Sequence, residues 1–139
     1  MASVLALGCG NDEKGVPVAC LEGEKPISAA LAKAPDPVRL ETGTKLSECF
    51  TRAANPAQIQ QVGAIFIAVA ERLAPRARAN PHSAAATQLG YLMGAVRQGA
   101  GGTQGIHYET QRRIEQELIG IDTRSPEYLT GVKAGQRDG

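Results

Sequence analysis

Two histidines, three cysteines and 14 carboxylates are the side chains of this 139-residue chain that could do chemistry beyond simple contact. Zinc ligands on one helix stand four residues apart, and the residue four beyond His107 is Gln111. His82 sits in the polar connector from Arg76 to His82, which reads as a solvated loop. No Gly-x-Ser-x-Gly elbow is present, and no cysteine and histidine fall into a recognisable nucleophilic pair. The glycine-rich run Gly99–Gly105 has no preceding strand and no Gly-Lys-Ser/Thr motif, so it reads as a hinge and not as a phosphate cradle. The residues specify no catalytic centre, no metal site and no cofactor. The one polar cluster that spacing offers is His107, Tyr108 and Arg112 with Arg97, flanking that hinge. With Gly90 and Gly94, which form a ridge of small residues, Arg97, His107 and Arg112 make up a candidate interaction groove.

The cysteines say more. Cys9 follows Val4-Leu5-Ala6-Leu7-Gly8 and precedes the polar run Gly10-Asn11-Asp12-Glu13-Lys14. This pattern resembles the lipobox of bacterial lipoproteins, in which a signal peptidase cuts before a cysteine that then carries diacylglycerol. Leu7 is bulkier and Ala6 smaller than that pattern prefers, and no basic residue precedes the apolar run. The resemblance covers the first dozen or so residues. It implies lipidation at Cys9 and residence at the cell envelope, tethered to the membrane. Cys20 and Cys49 then remain as an even pair, which in an exported protein is expected to form a disulfide. In a cytoplasmic protein the same two would be small buried hydrophobes.

With 15 basic side chains against 14 acidic ones and no tryptophan, the chain shows neither the basic excess nor the stacking platforms of a nucleic-acid binder. Its core must be built from alanine, leucine, isoleucine and valine. Asn55-Pro56 is a strong helix start, and Ile59, Val62, Phe66, Val69 and Leu73 draw an apolar stripe behind it. Because Ala64, Ile65, Ile67 and Ala68 fill the other side, the stretch from Asn55 to Leu73 is expected to be the central helix, ended or kinked at Pro75. Ser83 caps a second helix to about Gly99, whose Ala86, Gly90 and Gly94 stand four apart and should pack against a neighbour such as the first. A third spans Ile106 to Ile119, with Ile106, Thr110, Ile114, Leu118 and Ile121 facing inward.

Shorter helices are expected at Pro26–Ala32, from Thr44 to about Ala53, and after Ser125-Pro126. The expected fold is all-α: a small helical bundle of three main helices plus shorter N- and C-terminal helices. Residues 1–24 would be the lipobox-like segment and a polar tether, 25–135 a single helical domain, and 136–139 a disordered tail. The small bacterial lipoproteins that combine a lipobox, a polar tether and a helical domain with one disulfide are similar in plan, which implies a location and no activity. The stretch Ala84–Ala100 also resembles one helical unit of the Sel1 repeat type, although solenoids need several units.

Three function classes follow. The first is a membrane-tethered, non-catalytic helical module of the envelope with a protein or small-ligand partner. The second is an intracellular adaptor that pairs the Gly90/Gly94 groove with another helix. The third is a small enzyme with a site between the helices.

Overall fold

Three helix starts are written as side-chain caps, and a computed structural model, which describes residues 15–51 and 55–139, contains all of them. The Asn55 carboxamide oxygen accepts from the Gln58 amide at 2.9 Å, the Ser83 hydroxyl from Ala86 at 3.3 Å and the Ser125 hydroxyl from Tyr128 at 3.2 Å. Each satisfies an amide that the first turn of a helix leaves without a partner. The helices they open are α3 (Pro56–Ala79), α4 (Ala84–Ala100) and α6 (Pro126–Asp138). Before them lie α1 (Glu24–Leu31) and the single turn α2 (Glu48–Thr51), and between α4 and α6 lies α5 (Tyr108–Glu117). Two 3-10 turns, Val18–Cys20 and Glu41–Gly43, complete the regular structure, and no strand occurs among the described residues. The described chain is all-helical.

The centre is α4 and not the expected 55–73 helix. Every residue from Ala85 to Val96 except Gln88 is buried, and α4 packs against each of the other five helices. Arg97 is its one charged residue, so no side chain demands water along most of its length. Helix α3 buries Val62, Phe66, Val69 and Leu73 but exposes Gln60, Gln61, Glu71 and Arg72, and it covers α4 from one side. It also runs through Pro75 to Ala79. Pro75 and Glu71, whose carbonyl loses its usual donor there, both stand on the exposed face, so water can satisfy it, while Ala74 and Ala77 continue the buried face.

The neighbour of the Gly90/Gly94 ridge is α6. A Cβ at Gly90 would stand against the Tyr128 carbonyl oxygen, and one at Gly94 against that of Val132. The contact is reciprocal: a Cβ at Gly131 would meet the Thr87 carbonyl, and one at Gly135 the Tyr91 carbonyl. Both helices therefore carry glycines four apart and touch backbone to backbone, the close approach that small-xxx-small spacing permits. Gly139 closes the series over Ala95. Residues 136–138 are thus the last turn of α6, where a disordered tail was expected: Gly139 is buried just beyond them, and the Arg39 guanidinium donates to the Asp138 carbonyl at 2.6 Å.

Other boundaries shift for local reasons. Val16, Ala19 and Cys20 are buried, so residues 15–24 belong to the folded body and not to a tether. Thr44 does not cap a helix; its carbonyl accepts from the Leu40 amide at 2.8 Å, and α2 begins only at Glu48. Helix α5 is shorter than the expected 106–119 span. Ile106 and Ile119 are 61% and 74% exposed, and only Thr110 and Ile114 are buried within it. Its C-terminal end is closed by Arg78, whose guanidinium donates to the Ile119 carbonyl at 3.1 Å and to the Glu117 carbonyl at 3.3 Å. A cation there also meets the negative end of the helix dipole. The Tyr91 hydroxyl, buried in α4, accepts from the Val38 amide at 2.9 Å and fastens the extended residues after α1 to the core.

Candidate functional site

The sulfur atoms of Cys20 and Cys49 are bonded at 2.05 Å, joining the 3-10 turn at Val18–Cys20 to α2 across 29 residues of sequence. Both cysteines are wholly buried. Closing a loop of that length restricts the unfolded chain by about 3.6 kcal/mol in the chain-entropy model. Cys9 lies outside the described residues.

The five groove residues do not assemble as one surface. Gly90 and Gly94 are covered by α6 and offer nothing to an external helix, since their place is taken by the chain itself. Arg112 is exposed and pairs along its own helix with Glu109 at 3.5 Å. His107 turns inward and is 1% exposed. Its Nε2–H donates to the Phe50 carbonyl at 2.9 Å and its ring meets Phe50 edge-on at 5.1 Å. Nδ1 is buried with no partner, so the imidazole is held neutral. Burial pushes its pKa below the usual histidine value, and the bond to Phe50 offsets part of that. His107 and Phe50 wall a hollow of about 310 Å³ with Thr51, Thr103 and Ile106, a lining that contains no second titratable group among the described residues. Among the described residues no three histidines, cysteines or carboxylates are placed to hold a metal. His82 is exposed and meets Glu127 at 3.0 Å.

Arg97 is the groove residue that does enter a site. Helices α5 and α6 both pack on α4 but hardly on each other, which leaves a cleft of about 520 Å³ between them. Arg97 of α4 and Glu115 of α5 stand at its edge with nitrogen and oxygen 3.5 Å apart, each side chain 38% exposed. Gln111 steadies Glu115 by donating to the same carboxylate oxygen at 3.1 Å. Tyr128 of α6 lines the cleft and is 3% exposed, with Arg97 and Glu115 both close enough to act on its hydroxyl. Burial raises the Tyr128 pKa, with the nearby Arg97 charge opposing, so the phenol stays protonated and able to donate. Thr123 adds a hydroxyl, and Leu118, Leu129 and Val132 give the cleft an apolar lining.

Glu115, Thr123 and Tyr128 were not among the residues that the sequence singles out. The one signal was Arg97 itself, the lone charge on an otherwise apolar helix. A larger hollow, about 640 Å³, lies over Val16–Ala19, Glu41–Thr44 and Gln58, and among the described residues no basic side chain, histidine or cysteine lines it. The cleft is therefore where a cation, an anion and a phenol converge, an arrangement suited to binding a small polar molecule. No protein-family model, no curated protein and no solved structure matches the chain.

Proposed function

We propose that the chain is a membrane-tethered helical binding module of the bacterial cell envelope, a small bundle around α4 held to the lipid through Cys9. The observation that supports this most is the Cys20–Cys49 bond, because disulfides persist in oxidising compartments and are rare in the cytoplasm. That bond accounts for two of the three cysteines and leaves Cys9, in its lipobox-like context, as the one available for lipidation. Five residues separate Cys9 from Gly15, where the described fold begins, so the tether would be short and the body would sit close to the bilayer. None of the described helices is long and apolar enough to cross a membrane, and attachment would rest on the acyl chains. The intracellular adaptor reading loses its docking groove to α6.

The test is metabolic labelling with a radioactive fatty acid in a bacterial host. The wild-type chain should take up label and sediment with membranes, and Cys9→Ala should do neither. A soluble, unlabelled wild-type chain would refute the tether.

A further inference from the structure

We infer that the cleft between α5 and α6 binds a free aliphatic α-amino acid, with its carboxylate on Arg97 and Tyr128, its ammonium on Glu115 and its side chain against Leu118, Leu129 and Val132. The ion pair at the edge selects the ligand. A bare carboxylate approaching Arg97 would meet Glu115, whose oxygen is only 3.5 Å from the guanidinium, and a bare amine at Glu115 would meet Arg97. A ligand that carries both charged groups on one carbon answers both. The pair is also cheap to open: it is a single long contact between two partly exposed side chains, a class that contributes little to stability. Gln111 holds the Glu115 carboxylate while Arg97 is drawn to the ligand.

Tyr128 adds a phenol to the same cleft: its side chain is mostly buried, and its hydroxyl lies within the electrostatic reach of both Arg97 and Glu115. Its protonated state, favoured by burial, makes it a donor to a carboxylate that Arg97 already attracts. The apolar side chains that share the cleft are aliphatic, with no aromatic ring besides Tyr128 to stack on a planar ligand. A volume of about 520 Å³ falls within the range of small-molecule sites, roughly 300–1,000 Å³. This rests on the reading of the chain as a binding module, but not on its tether. Loss of labelling in Cys9→Ala tests the tether, and ligand titration of the isolated full chain tests the cleft.

The experiment is a chemical-shift titration of the full chain with L-leucine, with 4-methylpentanoate and isoamylamine as analogues that lack one charge each. Leucine should move the methyl resonances of Leu118, Leu129 and Val132 together with the ring of Tyr128. Each analogue should bind at least tenfold more weakly. Arg97→Gln and Glu115→Gln should each weaken leucine binding at least tenfold, and Tyr128→Phe severalfold, with melting temperatures near wild type to show that the variants fold. No shift with leucine at its solubility limit would overturn the inference. So would an analogue that binds as well as leucine, or binding that survives both charge substitutions.

Discussion

Replacing Gly90 by alanine decides whether α4 and α6 touch backbone to backbone. Two effects of opposite sign compete. Alanine is the better helix former by about 1 kcal/mol, which alone would raise stability. Against that, the new Cβ would stand on the Tyr128 carbonyl oxygen, 3.0 Å from the Val132 nitrogen and 3.1 Å from the Tyr128 carbonyl carbon. These atoms belong to a helix backbone that cannot turn aside as a side chain would, so α4 and α6 must separate along their whole contact. Overpacking of this kind costs about 3 kcal/mol or more, at the upper end of its usual range. The net expectation is a loss of about 2 kcal/mol, a fall in Tm of roughly 6–10 °C for a domain of this size.

Thermal and urea denaturation followed by far-UV circular dichroism would measure it. Gly102→Ala is the control, because nothing lies within 4 Å of a Cβ there, and it should leave Tm almost unchanged. Gly131→Ala meets the Thr87 carbonyl from the other side, and the double variant should lose less than the two single losses added, since helices already parted have less contact to give up. A Gly90→Ala variant that melts higher than wild type would refute the backbone contact.

Reducing the Cys20–Cys49 bond, or replacing both cysteines with serine, should lower unfolding free energy by about 3–4 kcal/mol in urea titrations, with the helical spectrum retained below the transition. Tyr91→Phe leaves the Val38 amide buried without its acceptor and should cost about 1–3 kcal/mol by the same titration. His107 has its folded pKa lowered from 6.5, so its neutral form is the one that the fold favours. Above that value it contributes no pH dependence. As pH falls below it the unfolded chain takes up a proton that the folded chain resists, and stability should decline until the folded pKa is reached. Urea midpoints measured across this range should show that decline in the wild type, and His107→Gln should flatten it.

How far the structure can be read from the sequence depends on how local each determinant is. The caps at Asn55, Ser83 and Ser125 are bonds between a side chain and an amide three residues on, so local spacing is enough to see them. The Cys20–Cys49 pairing follows from parity once export is supposed, and the structure contains it. Choosing the central helix by bulk is misleading: the large residues from Val62 to Val69 attract attention, whereas what admits neighbours on every side is the small, nearly uncharged surface of α4. Gly131 and Gly135 look like helix breakers that fade α6 out, because glycine is a poor helix former. In the fold they let α6 approach α4, and tertiary packing overrides their propensity. The cleft was out of reach for a different reason. Arg97, Glu115 and Tyr128 converge only through the relative rotation of three helices, and no spacing in the chain encodes that.

The most direct test of the account is the intact mass of the protein purified from its native host, measured with and without reductant. The account predicts added mass equal to a diacylglyceryl group with acyl chains on a chain that begins at Cys9, and a gain of two hydrogens on reduction. An unmodified chain, already reduced at Cys20 and Cys49, would contradict it.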